Sequence, residues 1–477
     1  MLFHHTTTEK QRHLLYSIAV SLLLCLSLVG GLFVPAVGFA EETDSYHWPA
    51  GPFITSEAAI VIDAETGTVL YEKNSTAALY PASTTKLMTA LLALENAALG
   101  ETVTVSHDAV YDLDVDSSRI WVDGGEELTM EESLYALMLP SANDLAYAIA
   151  EHVGGTMPAF AEMMTARAKE LGCTNTQFLN PHGLDEEGHY TCPADLAKIM
   201  RALVKNSAFI KISGSKNHEI PATNLCDESR WVLNTHLMIR GTYPYQGVIA
   251  GKTGHTDLAG ANLVTCAKRG NMTLISAVMK APDDTALYDD TAALLDYGFD
   301  NFTTYSVTEE QLSLEHEVPP LFNSEDSVQL LNNSIVTTDA ACIVLPSTAS
   351  LSDIKKSVSL SQLISFAEGK NTIGKITYTY GTHTVGSANI IYTNNGVAFT
   401  IDLSPESPSD KELSPGTEPT ENDTQNKTED TPTKDRRPLI IGIILGCLCF
   451  LIGVYLIFVE LPYRRKRSAY LKRRNRR

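Results

Sequence analysis

Residues Leu439 to Val459 are 21 consecutive uncharged positions, most of them aliphatic, a run that no ordinary globular core needs. At about 1.5 Å per residue the run makes about 31 Å of helix, matching the hydrocarbon thickness of a bilayer. It predicts a single membrane span over 438–459. Behind it, the tail 460–477 holds Arg464-Arg465-Lys466-Arg467 and Lys472-Arg473-Arg474-Asn475-Arg476-Arg477, which the positive-inside rule assigns to the cytoplasm. The other end of the chain agrees. Lys10 and Arg12, an apolar run from Leu14 to Val34, and Gly38-Phe39-Ala40 read as a secretory signal over 1–40, cleaved after Ala40. What lies between is expected outside the membrane.

Charge narrows the partners of that exported body. Between residues 41 and 463 there are 25 Lys+Arg against 56 Asp+Glu, a net of -31 in a chain whose total is -21. A polyanion needs a basic surface, so nucleic acid is excluded as a partner. Cys173, Cys192, Cys226, Cys266 and Cys342 are odd in number and lack Cys-x-x-Cys spacing, so they are expected to be buried thiols rather than disulfides or zinc ligands. His218-Glu219 and His316-Glu317 lack the second His of a zinc-peptidase helix, and no metal site is expected.

Ser404 to Arg437 is dense in Ser, Pro, Thr, Glu and Asp and predicts a disordered acidic linker over 404–437, reaching roughly 30 to 35 Å as a flexible coil. The folded body is then two domains. In 45–301, Ala58–Asp63 and Thr68–Glu72 around Ala64-Glu65-Thr66-Gly67 predict strand, turn and strand. A helix follows over Thr85–Leu99. Thr129 and Glu132 form a capping-box signature before a short helix stopped by Pro140. Ala261–Ala267 and Thr273–Met279 read as an apolar hairpin. Strands at both ends with helices between predict an α+β domain whose sheet is assembled from both ends of the segment. From 302 to 403, runs such as Ser334–Thr338, Lys375–Tyr380 and Asn389–Tyr392 predict a small all-β domain.

Three short motifs carry chemistry. Pro81-Ala82-Ser83-Thr84-Thr85-Lys86 opens the first long helix. At i and i+3 the amine can reach the hydroxyl, and the helix N-terminus favours negative charge there. To accept a proton Lys86 must be neutral, which requires burial or a neighbouring cation. Ser141-Ala142-Asn143 follows Pro140 and reads either as a loop facing a cleft or as a Ser/Asn cap for a helix beginning near Asp144. Lys252-Thr253-Gly254 ends the apolar run Val248-Ile249-Ala250 and reads either as a carboxylate-binding strand or as an ordinary turn at a strand end. Ser213 to Lys216, Ser352 to Lys355 and Ser387-Ala388-Asn389 repeat these spacings out of order.

Taken together, Ser-x-x-Lys, Ser-x-Asn and Lys-Thr-Gly, with starts 58 and then 111 residues apart, form the signature of serine penicillin-interacting enzymes. The flanks Tyr80–Ala90, Leu139–Asp144, Asn180-Pro181-His182-Gly183-Leu184-Asp185, Gly251–Thr256 and Leu294–Phe299 closely resemble the D-alanyl-D-alanine carboxypeptidases, low-molecular-mass penicillin-binding proteins of the S11 peptidase family, over about residues 52 to 301. The resemblance implies a β-lactamase/transpeptidase-like antiparallel sheet flanked by helices in a bacterial membrane protein. It also implies removal of the terminal D-alanine from peptidoglycan stem peptides without a cofactor, and covalent inhibition by β-lactam antibiotics. By the same resemblance Ser83 is the nucleophile, Lys86 its base and Ser141 the proton relay to the leaving D-alanine. Asn143 holds the substrate amide, Lys252 and Thr253 take the terminal carboxylate, and Lys252 keeps Lys86 neutral. Gly254 leaves room beside the strand, the backbone N–H groups of Ser83 and His255 form the oxyanion hole, and His182 holds a loop.

Other activities share these motifs. A β-lactamase of the commonest class deacylates with a Glu in Glu-x-x-Leu-Asn, and no such pentad follows residue 143. An endopeptidase or transpeptidase keeps the chemistry and changes the bond or the acceptor. A β-lactam sensor would need a coupled two-state element, which a disordered linker and a short tail do not supply. Ser83→Ala is expected to abolish penicillin labelling, and Ser213→Ala and Ser352→Ala to leave it intact.

Overall fold

The computed structural model describes residues 46–113, 116–307, 335–339, 341–360, 363–394 and 399–402. The signal segment, the acidic linker, the apolar run and the basic tail lie outside them. Among the described residues no helix is long and apolar enough to cross a membrane.

The centre of the molecule is a five-stranded antiparallel sheet of β1 (Ala58–Asp63), β2 (Val69–Lys73), β7 (Val248–Thr256), β8 (Gly260–Arg269) and β9 (Met272–Ala281), in the order β2-β1-β9-β8-β7. Its strands come from both ends of the segment, as the alternation of elements predicts, and β7 is left at one edge. Two-stranded pairs, β3 (Thr102–Thr104) with β4 (Glu127–Thr129) and β5 (Asn217–Ile220) with β6 (Arg230–Leu233), lie outside this sheet. Successive side chains of a strand point to opposite faces, and here both faces are buried. Ile60, Ile62, Val264, Cys266, Ile275 and Ala277 join one core with α1 (Lys86–Asn96), α3 (Met130–Met138), α4 (Asn143–Gly154) and α6 (Pro193–Leu203). Ala59, Val61, Leu263, Ala267, Leu274 and Val278 join the other with α9 (Asp284–Asn301). The remaining helices are α2 (His107–Tyr111), α5 (Met157–Glu170), α7 (Ser207–Ser213) and α8 (Leu237–Arg240).

Four expectations change in detail. The first helix stops at Asn96 rather than Leu99, because Ala97 turns extended and the carbonyl of Leu99 accepts from Glu131 N at 2.9 Å. Thr129 caps α3 by accepting from Glu132 N, yet the Glu132 carboxylate lies 2.7 Å from His218 Nε2, so the second half of the capping box is a tertiary contact. Lys252-Thr253-Gly254 lies inside β7, not in a turn at its end. All five described cysteines are free; Cys173, Cys192 and Cys266 are buried, whereas Cys226 and Cys342 are half-buried.

The β-rich part after α9 is a sheet in the order Phe302–Val307, Ala341–Pro346, His383–Asn394, Gly369–Tyr380 and Lys355–Leu360, with Ile335–Thr338 also paired to His383–Asn394. The segment before β1 clasps it to the rest. Trp48 stacks on His383 at 3.8 Å and donates from Nε1 to Leu70 O at 3.0 Å, while Tyr46 packs edge-on against Tyr380 at 4.9 Å. Trp48→Ala removes the ring shared by both domains. It should lower stability by about 2 kcal/mol, read as a fall of about 4 °C in Tm.

Candidate active site

Pro81 and the residues after it do not start an α-helix directly. Ala82–Thr85 form a 3₁₀ turn that passes into α1 at Lys86. Positions i and i+3 eclipse in a 3₁₀ turn, and Lys86 Nζ accordingly lies 3.0 Å from Ser83 Oγ. Ala82, with φ +48, is held in a conformation that L-residues avoid, one residue before the hydroxyl. Asn262 on β8 secures the turn by donating from Nδ2 to the carbonyls of Tyr80 at 2.9 Å and Pro81 at 3.1 Å.

Lys86 is fully buried. Its amine lies 2.6 Å from Asn143 Oδ1 and 2.7 Å from the carbonyl of His182, both able only to accept. A neutral amine has two N–H donors and one lone pair. With both donors taken, the lone pair is left for the Ser83 hydroxyl, the arrangement a general base needs. Burial first, and then the charge of Lys252, hold the Lys86 ammonium well below the usual lysine range, with Asp144 pulling the other way. Lys252, on β7 and 1 % exposed, is itself pulled down to about 7 by burial, so its push on Lys86 is strongest below that pH. Acylation requires neutral Lys86, so its rate should rise as pH passes through the depressed Lys86 value. In Lys252→Met a like charge is gone and the rising limb should move to higher pH. Penicillin acylation rates measured against pH decide this, and a limb that stays put would remove Lys252 from that role.

β7 reaches the nucleophile because Gly254 has no side chain. A Cβ there would stand 2.9 Å from Pro81 O, Ser83 N and Thr84 N. The opposite wall is Ser141. It does not cap α4, whose N-cap is Ala142 without a side-chain bond. Instead φ at Ser141 is +68, and its buried Oγ has no hydrogen-bond partner among the described residues. Between these walls is a cleft of about 280 Å³ lined by Ser83, Ser141, Thr253, Gly254 and His255, with Thr235 and Asn262 among the others. Lys86, Asn143 and Lys252 are packed beneath this lining. Thr253 therefore meets the cleft through its hydroxyl, 2.7 Å from that of Thr235, while Lys252 acts on it as a field.

Behind the turn, His182 Nδ1 accepts from Leu184 N at 3.2 Å, and burial draws His182 down to about 3. Its ring stays neutral and shapes the loop that presents its carbonyl to Lys86. His189 Nδ1 accepts from Leu179 N at 3.1 Å, which leaves Nε2 to donate to Thr85 Oγ1 at 2.9 Å. Three contributors escape a motif search. They are Asn262, Thr235 and the His182 backbone carbonyl; the first two have no local signature, and a carbonyl has no side chain to read. Ser213 is not an idle repeat either, since its Oγ donates to Gly251 O at 2.9 Å and accepts from Gly251 N at 3.0 Å, bracing β7.

An unpaired hydroxyl, a nucleophile on a strained turn and a neutral buried lysine along one edge of an antiparallel sheet define a serine acyl-transfer enzyme that uses lysine as its base. The sequence pattern of the D-alanyl-D-alanine carboxypeptidases matches residues 46–283. D-alanyl-D-alanine carboxypeptidase DacF of Bacillus subtilis is 32 % identical over 315 residues, covering 65 % of this chain and 77 % of the relative. DacC of Escherichia coli is 31 % identical over 282 residues, 57 % of this chain and 67 % of the relative. The crystal structure of penicillin binding protein 5 from Haemophilus influenzae superposes with a TM-score of 0.57 at 27 % identity, covering 72 % of this chain and 98 % of that one. This chain belongs to the D-alanyl-D-alanine carboxypeptidase family, and its fold is the α+β fold of penicillin-binding proteins.

Proposed function

We propose that the protein is a serine-type D-alanyl-D-alanine carboxypeptidase that trims the terminal D-alanine from peptidoglycan stem peptides. The observation that carries the mechanism is the Lys86 amine, with both donors occupied and its lone pair 3.0 Å from Ser83 Oγ. Ser83 attacks the carbonyl between the two D-alanines while Lys86 takes its proton. The backbone N–H groups of Ser83 and His255 receive the developing oxyanion. Ser141 passes a proton to the departing D-alanine amine, Asn143 orients the substrate amide, and Thr253 receives the terminal carboxylate beside the buried charge of Lys252. Water then releases the acyl chain and restores Ser83. A β-lactam enters by the same attack and stays as the acyl-enzyme.

We place the catalytic domain outside the cytoplasmic membrane, held by the uncharged run Leu439–Val459 with its basic tail inside. That placement is supported by the hydropathy and charge of the two chain ends. Membrane fractionation with protease accessibility checks it. Incubation with diacetyl-Lys-D-Ala-D-Ala and assay of free D-alanine checks the activity; slow penicillin acylation without D-alanine release would point to a sensor instead.

A further inference from the structure

The cleft of about 280 Å³ holds the end of a stem peptide, and the rest of that substrate must cross the rim. Two exposed apolar stretches leave the cleft, one from each wall. On one side Ser118 lines the cleft and its carbonyl accepts from Asn143 N at 2.7 Å. Three residues on, at most about 11 Å away, Trp121 is 66 % exposed with φ +60. A tryptophan in the left-handed region, set in water, is doubly unfavourable and persists only where its surroundings impose it. Here they do. The buried Asp144 carboxylate accepts from Ile120 N at 3.1 Å and also from the backbone N–H groups of Trp121 and Val122. Asp144 takes no part in the acyl transfer, and its grip makes the Trp121 platform rigid. On the other side Thr235 lines the cleft and follows β6, where Trp231 (66 % exposed) and Leu233 (53 %) alternate onto one open face. Trp231 is at most about 14 Å from Thr235.

We propose that Trp121 and Trp231 are stacking platforms for sugar rings of the glycan strand to which the stem peptide is attached. The inference rests on the carboxypeptidase reading, because it takes the cleft as the seat of the stem peptide. A sugar ring offers a flat C–H face with a hydroxyl edge, and an indole offers an apolar face with a single polar N–H. Separate exposed rings on two walls suit a chain of such units, whereas a protein partner calls for one continuous patch of about 800 Å² per side.

The test compares D-alanine release by the full chain from intact pentapeptide sacculi and from diacetyl-Lys-D-Ala-D-Ala. Trp121→Gly deletes the ring and puts a residue there that accepts φ +60, so the loop keeps its path. The ratio of the sacculus rate to the free-peptide rate should fall about tenfold, and Trp121→Phe should restore most of it. Trp231→Ala should lower the same ratio. An unchanged ratio in Trp121→Gly, or failure of Phe to restore it, overturns the proposal. No D-alanine from either substrate with the unaltered chain sinks the carboxypeptidase reading instead.

Discussion

Ser83→Ala abolishes both penicillin acylation and D-alanine release, with a rate loss on the order of 10⁶-fold, the scale on which removing a serine nucleophile acts. No neighbouring hydroxyl can take over. Ser141 Oγ is buried on the opposite wall, and the hydroxyls of Thr84 and Thr85 are engaged with Pro81 O at 2.7 Å and His189 Nε2 at 2.9 Å. The variant should stay folded, because Lys86 keeps Asn143 Oδ1 and the His182 carbonyl when Oγ is gone. Lost labelling is then a chemical effect and not an unfolding one. Ser352→Ala, exposed in the β-rich domain, serves as the silent control. Ser213→Ala does not, contrary to the sequence expectation, because it frees both backbone groups of Gly251 in the catalytic strand and should slow acylation in part. Mass spectrometry of the penicillin-treated proteins reads all three, and an adduct on the Ser83→Ala chain would overturn the nucleophile.

The parts of this site that were legible in the sequence are those whose geometry is local. Ser83 and Lys86 meet because one turn of backbone brings them together, and the order of the three motifs supplied the rest. Motif spacing could not say that the turn is 3₁₀, nor that Lys-Thr-Gly lies within β7, because both depend on how β7 packs against the turn through Gly254. The sheet built from both chain ends was legible from the alternation of strand and helix patterns. The capping box at Thr129 was half right for the same reason that the first helix was drawn too long. Glu132 and Leu99 both found partners far away in sequence or in the next segment, and tertiary contacts outweigh local preference. Asp144 shows the limit most clearly. Next to a motif residue it reads as a helix-start acid, yet its carboxylate spends its hydrogen bonds on the 120–122 backbone.

Gly183→Ala should cut penicillin acylation about 100-fold while leaving every catalytic side chain in place. The added Cβ would stand 1.8 Å from the carbonyl oxygen of Ala82 and 2.8 Å from Thr85 Oγ1, and φ at this position is +87. The obstacle is the backbone of the nucleophile turn, which cannot swing aside as a flexible side chain could. The loop must therefore retreat, although Asn180 Oδ1 holds Gly183 N at 2.7 Å. Its retreat carries off the His182 carbonyl, 2.7 Å from Lys86 Nζ, and an amine that loses a fixed acceptor no longer aims its lone pair at Ser83. A displacement of about 1 Å in a reacting group is enough for a loss near 100-fold. Left-handed strain and overpacking together should also lower stability by about 3 kcal/mol. Gly155→Ala separates the two causes, since its φ is +74 with open space around the added Cβ; it should lower Tm slightly and acylate normally. Acylation rates on folded protein, checked by circular dichroism at the assay temperature, decide the matter. A Gly183→Ala chain that acylates at the unaltered rate would show that the His182 carbonyl does not position the base.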